Sequence, residues 1–434
     1  MWDSFIEAVT KVNDWVNGVV WGLPMIIMIL GTGILLTVRT RVLQVRKFGE
    51  SMSSTIVPAV KDMKKSKKGR DKKAVSQFEA FSAAISGTVG TGNIIGVTSA
   101  ILTGGPGAVL WMWISAFFGM VTNYSENVLG LYYRKKEKDG SFSGGAFYYI
   151  AYGIKQRWLG MLAAIFCLLA AVGMSGVQTN KITGSYTSVL NNDSAAVKLI
   201  IGGIVAFLAA VVIIGGIKRI GRIASMLVPF MSLLFIAMAF VIIGKNYTAI
   251  PDTFRLIFTS AFSSKAVAGG VGGFAFSQII KKGLARGVFS NEAGLGSSVI
   301  AHSASETREP VKQGLWGIFE VFFDTFVICT LTALVILTTN IGSGAYQNGT
   351  FFGTTDAAGN FAGASDSATA LSAFSSNLGT FGTVTFLIIL PLFAFTTVLA
   401  WSYYGEKAVD FCFHHLPESK RKIPAVSYTH LRAH

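Results

Sequence analysis

Ser86–Asn93, reading SGTVGTGN, places glycines and small hydroxyl or amide residues inside an otherwise apolar run at about 77–101. A helix broken there exposes N–H groups at the start of one half-helix and carbonyls at the end of the other. The N–H groups suit a carboxylate, and the carbonyls suit sodium, a hard cation. A second Gly-rich stretch, at 269–273, predicts a second break. Phe274, Phe276, Ser277 and Gln278 follow it, and rings there either cap a small side chain or simply pack. Thr396 and Thr397 are adjacent hydroxyls in an apolar run, placed either to ligate an ion or to bond back to their own helix. Gln178 is a further polar candidate. Trp401 either crowds a pocket, leaving room for a small ligand only, or belongs to an interfacial aromatic belt. Ionisable groups at membrane depth are functional candidates because they are costly there. Glu320 and Asp324 lie one helical turn apart and so share a predicted face. They are candidates for proton or ion coupling, or for structural pairing. Glu126 and Glu292 fall near predicted helix ends, and Lys281, Lys282 and Arg286 are available to pair with a carboxylate. No P-loop, HExxH or GxSxG pattern occurs, so neither ATP-driven chemistry nor an enzyme is expected, and no cofactor is implied.

The elements that must hold these residues are membrane helices. Hydrophobic residues make up 51% of the chain and charged ones 14%, against about a quarter charged in soluble domains. The apolar residues cluster into runs such as Val19–Val38, Leu199–Ile217 and Phe381–Ala400, long enough to span a bilayer. The formal charge of +15 sits in a few short loops, notably KDMKKSKKGRDKK before Ala74, RKKEKDG after Tyr133 and IKRIGR at 217–222. That is the positive-inside pattern rather than a nucleic-acid surface. It predicts a multi-pass protein of the cell (inner) membrane with its N-terminus outside. Cys167, Cys329 and Cys412 have neither metal nor CxxC spacing and read as small buried hydrophobes. Residues 1–18 carry Asp3, Glu7 and Asp14 where a signal peptide is basic. Their apolar residues recur at helical spacing, predicting an interfacial amphipathic helix.

The chain then divides into an extra transmembrane helix at 19–38 and a basic cytoplasmic loop at 39–76. A five-helix unit follows at 77–246, with a single long fourth helix from about 145 to 177. A second unit occupies 247–415, its first helix descending to KKGLAR at 281–286. The two predicted breaks lie five helices apart, so the broken helices cross in opposite directions. Interrupted helices at matching positions of two halves point to an inverted repeat with a midplane site. The second unit is incomplete: about nine helices are predicted where two five-helix repeats and one extra helix need eleven. Residues 416–434 read as a basic segment and a non-native tail, so an inactive truncated carrier is one expectation.

GGPGAVLWMWISAFFG at 104–119 resembles the signature of the alanine or glycine:cation symporter family (sodium:alanine symporters), with Leu110 where Phe is usual. SGTVGTGNI, RGVFSNEAGLGS at 286–297, FDTFVICTLTALVIL and FTTVLAWSYYGE at 395–406 are similar to that family too. The resemblance covers about residues 15–415. It implies an all-α carrier with leucine-transporter-type inverted five-helix repeats, moving alanine or glycine with sodium by alternating access. It further implies carboxylate binding by the N–H groups of Thr91 and Gly92, with Asn93 touching ion or substrate. Sodium would be held by the carbonyls of Ser86, Val89 and Phe393 and the hydroxyls of Thr396 and Thr397. Proton coupling, a channel or a sensor remain as other expectations, and the carrier is expected to be a monomer in the lipid bilayer.

Overall fold

The computed structural model describes residues 2–20, 22–55, 75–137, 140–190, 192, 194–262, 270–343, 354–355, 361–362 and 366–413. Helices dominate, and the described strands are four two-residue pieces in two hairpins. Helix α1 (Trp2–Val20) leaves Ile6, Val9, Val12 and Trp15 exposed, an apolar stripe uncovered by the described residues. Helix α2 (Leu23–Arg39) follows, started by Pro24 near its N-terminus, where a missing N–H costs nothing.

Helix α3 (Gln77–Thr88) opens with a capping box. Ser76 accepts from the Glu79 N–H, and Glu79 accepts from the Ser76 N–H. It stops at Thr88. After three residues the chain resumes as one π-helical turn, Gly92–Gly96, which runs into α4 (Val97–Gly104). The two halves are bent by 46°. Next come α5 (Ala108–Tyr133), α6 (Ala146–Gly153), α7 (Arg157–Leu190), α8 (Ala195–Ile213), α9 (Gly216–Lys245) and α10 (Ile250–Ala261). The single helix expected at 145–177 is corrected: a corner with Lys155 at φ 61° separates the short α6 from α7, which also absorbs the polar residues through Leu190.

Helix α11 (Gly270–Asn291) runs without interruption through 270–273, and residue 269 lies outside the described residues. The break expected at 269–273 is therefore not there. It falls at 292–297, between α11 and α12 (Ser298–Ser303). The reason is local: Glu292, Gly294 and Gly296 have φ of 55°, 91° and 69°, left-handed values that a right-handed helix cannot carry. KKGLAR is likewise corrected from a loop to part of α11. Helix α13 (Pro310–Val321) continues through a second π-helical segment, Phe322–Cys329, into α14 (Thr330–Gly342). The last element, α15 (Asp366–Cys412), bends at Gly379, where φ 57° and ψ −141° end one helix and begin the next. Its second part carries the apolar run Phe381–Ala400 read as a span in the sequence.

Among the described residues six helices are long and apolar enough to cross a membrane, or seven if the bent α3–α4 pair is one span. Burial is inside out relative to a soluble protein. Leu199, Ile200, Phe207 and Ile214 face outward, while Asn93, Glu320, Asp324, Thr396 and Thr397 are wholly buried. Large apolar side chains outside and polar groups sequestered within is the arrangement a lipid solvent selects. The most extensive packing joins α7 to α15, then α5 to α13 and α5 to α11.

Candidate functional site

Register between the broken helices follows from their glycines. A Cβ on Gly104 would meet the Lys282 side chain, and one on Gly96 the Arg286 guanidinium. The Asn93 amide donates to the Ser290 hydroxyl at 3.1 Å. Positions 104, 96 and 93 thus pair with 282, 286 and 290, so α4 and α11 run antiparallel. Both chains reach their breaks at the same depth, one at 89–91 and the other at 292–297.

Asn93 is the hub of the junction. Its Oδ1 accepts from the Gly90 N–H at 2.9 Å, which holds the break open as a turn. Its Nδ2 donates to Asp324 Oδ1 at 2.5 Å and approaches Cys329 Sγ at 3.4 Å, besides Ser290. Asp324 also accepts from the Thr325 hydroxyl. Asp324 and Cys329 both belong to the π-helical segment, whose wider turn admits the Asn93 side chain.

The other flank is built by α7 and α15. Gln178 Oε1 accepts from the Thr91 N–H at 3.2 Å and from the Thr91 hydroxyl at 2.7 Å. A Cβ on Gly90 would lie 2.5 Å from Thr397 Oγ1 and 3.1 Å from Gln178 Nε2, so only glycine allows this close approach. One step along, Gly87 lies against Ala400 and the Tyr404 hydroxyl. Ser86–Gly90 therefore runs along α15 with Thr397 beside the break, and Ser86 and Val89 are buried there. The Thr396 and Thr397 hydroxyls each donate to the Phe393 carbonyl at 3.0 Å. Both bond back to their helix, and in doing so three oxygens converge on one spot. Thr396 Oγ1 also contacts Met231 Sδ at 3.7 Å.

The second break has its own brace. Trp401 donates its indole N–H to Glu292 at 3.1 Å, and the Ser297 hydroxyl donates to the same carboxylate. The Gly294 N–H donates to Glu126, so that residue holds the break rather than a solvated helix end. Trp401 is buried against Tyr404.

Thr91, Asn93, Gln178, Thr397, Trp401 and Asp324 are thus gathered around the two breaks. Glu320, expected to act with Asp324, turns to different partners: its carboxylate meets His302 Nε2 at 2.8 Å, and Gln313 meets His302 Nδ1 at 2.6 Å. The side chains of Phe274, Phe276, Ser277 and Gln278 lie outside the described residues. Lys281, Lys282 and Arg286 form no ion pair among the described residues. Sequence reasoning missed Ser290 and gave Cys329 a purely apolar role. Ser290 stands next to the NEAGLGS stretch, a signal that was legible. Cys329 carried none, because its neighbours come from other helices.

A model of the sodium:alanine symporter family matches residues 6–428. The sodium/alanine symporter AgcS of Methanococcus maripaludis is 39% identical over 411 residues, covering 94% of this chain and 84% of that protein. Bacillus subtilis has a protein described as "Probable sodium/glutamine symporter GlnT", 35% identical over 408 residues, 94% of this chain and 77% of that protein. Among solved structures, MhsT in complex with L-phenylalanine superposes with a TM-score of 0.56 at 15% identity, over 84% of this chain and 80% of that chain. At that identity the likeness concerns the fold, the leucine-transporter type.

Proposed function

The chain belongs to the sodium:alanine symporter family of sodium-coupled amino-acid carriers, not enzymes, and from that premise we propose that it moves alanine or glycine with sodium by alternating access. The observation that carries this reading is the meeting of two antiparallel broken helices at one depth, with Thr397 against Gly90 and Asp324 against Asn93. Backbone groups freed by a break inside a bilayer need a partner, and a zwitterion with a cation supplies both signs. In this reading Gly92 presents its N–H to the carboxylate, and the Thr91 N–H, which Gln178 Oε1 holds in this structure, turns to it when substrate binds. Ser86, Val89 and Phe393 offer carbonyls, and Thr396 and Thr397 hydroxyls, to sodium.

A small substrate is favoured by Trp401, a bulky ring fixed by Glu292 and Tyr404 beside the breaks. In this reading the ring occupies space that a glutamine side chain would take and an alanine methyl would not. The architecture in this proposal is an inverted five-helix repeat after the extra helix α2. The element order supports it. A broken helix, a long helix, a short helix and another long helix occur as α3–α4, α5, α6 and α7. They recur as α11–α12, α13–α14 and the two parts of α15. The packing of α5 on α13 and of α7 on α15 sets each of these helices against its counterpart, which a two-fold axis running between them would produce. The carrier works as a monomer.

Sodium would order the break and so create the amino-acid site, which is the coupling. Asn93→Ala leaves the buried Gly90 N–H without a partner and takes one donor from Asp324, which keeps Thr325 and Ser290, at about 1–3 kcal/mol in all. Alanine binding measured with and without sodium is expected to fall at least tenfold in the variant, only in sodium. For the wild type, alanine uptake into proteoliposomes should follow an imposed sodium gradient. Uptake driven by a pH gradient alone would replace this proposal with proton coupling through Asp324.

A further inference from the structure

We propose that Arg286 anchors a small-anion site beside the first turn after the α3–α4 break, taking one monovalent anion, either an amino-acid carboxylate on its way to the break or chloride. Arg286 comes from α11, and its Nε and Nη2 are buried and donate to nothing among the described residues. Its nearest ring is Phe289, 5.0 Å from the guanidinium carbon. Buried donors on an arginine are costly when left unmade, more so for a charged group at membrane depth.

The surroundings make the charge more conspicuous. A Cβ on either Gly92 or Gly96 would strike the guanidinium. The side chain therefore lies on the N-terminal turn of the helix running from Gly92 to Gly104, the positive end of its dipole. Asp324 and Asp366 offset part of this positive charge across space but form no ion pair with it among the described residues, and an anion beside the guanidinium offsets the rest. A cavity of about 550 Å³ opens at this place, lined by Ser99 and Thr103 of α4 and by Lys281, Lys282 and Arg286 of α11. Its lining holds three cations and no carboxylate. One guanidinium with buried Nε and Nη2 and two lysine ammonium groups on the same cavity wall suit a single negative charge. The planar guanidinium suits a carboxylate in two-point contact or a halide in its fork.

The chloride source is independent of the proposed function, whereas the carboxylate source rests on it. The test uses the purified full chain in detergent at constant sodium, with the thermal midpoint measured in chloride, propionate or the bulky sulfonate MES, which has no carboxylate. Chloride or propionate should raise the midpoint by about 3 °C over MES, a shift typical of saturating ligand. Protection by chloride alone identifies the halide, and protection by propionate alone identifies the carboxylate. Arg286→Gln should abolish the protection and Arg286→Lys should keep part of it. Equal protection in wild type and Arg286→Gln, or none in wild type, overturns the inference. Should Arg286→Gln fail to fold, Gly96→Ala displaces the guanidinium without removing it, and unchanged protection there overturns the inference equally. Sodium-driven alanine uptake by the same preparation separates the two readings. Uptake without anion protection removes this inference alone, and protection without uptake removes the proposed function alone.

Discussion

At Thr397 one hydroxyl carries two roles: it bonds back to the Phe393 carbonyl, and it lies within contact of Gly90 in the break. Thr397→Val keeps the shape and removes the oxygen. In the sodium-binding reading, the sodium concentration for half-maximal uptake rises about tenfold, the equivalent of 1.4 kcal/mol. Thr397→Ser, which restores the hydroxyl, should stay close to wild type. If Val and Ser behave alike, the hydroxyl is only a helix back-bond. Trp401 decides selectivity in the same way. Trp401→Leu removes ring volume and frees the Glu292 oxygen it had donated to. Competition of labelled alanine uptake by glutamine should strengthen about tenfold or more, the scale of discrimination a few methylenes provide. Unaltered glutamine competition would take Trp401 out of the pocket.

Among the elements, the broken helix α3–α4 depends on how its first half is started. The Ser76–Glu79 capping box fixes that start, and the residues just before it are pinned across the molecule. The Glu306 N–H donates to the Val75 carbonyl at 2.8 Å. Arg134, at the end of α5, donates to the Ser303 carbonyl at 3.0 Å. The first half of one broken helix and the second half of the other are thus tied at the same end of the bundle. Ser76→Ala should cost about 1 kcal/mol, as lost N-caps do, read as a lower thermal midpoint in detergent. Alanine affinity should not change, because the cap lies about three turns from the break. A loss of affinity with full stability would mean that the cap acts on the site directly. The two π-helical segments, at Gly92–Gly96 and Phe322–Cys329, deliver Asn93 and Asp324 to each other. π-turns are frequent at functional sites for this reason, since the widened turn leaves room for a partner side chain.

For the whole molecule, the basic loops predict sidedness. RKKEKDG after α5 and IKRIGR at the start of α9 fall on one side of the bundle in the proposed topology, with the N-terminus on the other. KKGLAR no longer counts towards that rule, since it lies inside α11. In intact cells, a cysteine placed by Gly140→Cys should resist a membrane-impermeant maleimide, and one placed by Asn192→Cys should react. The reverse pattern would invert the topology without touching the site, whose geometry has no built-in direction.

Much of this was legible in the sequence because lipid imposes a one-dimensional code. Apolar runs, short basic loops and the cluster SGTVGTGN marked the spans and the first break with no reference to tertiary contacts. Gln178 and Thr397 were singled out by type, Thr91 and Asn93 by the family resemblance, and the fold brings them together. The second break was misplaced because glycine has two uses. The GGVGG stretch continues as helix, whereas NEAGLGS takes three left-handed residues, and composition does not separate packing glycines from turning ones. Asn93 meeting Asp324 and Cys329, Glu320 turning away to His302, and Arg286 lying on Gly92 and Gly96 were decided only by the tertiary structure. Each joins residues far apart in the chain, and the relative depth of two antiparallel helices is fixed by packing rather than by any local pattern.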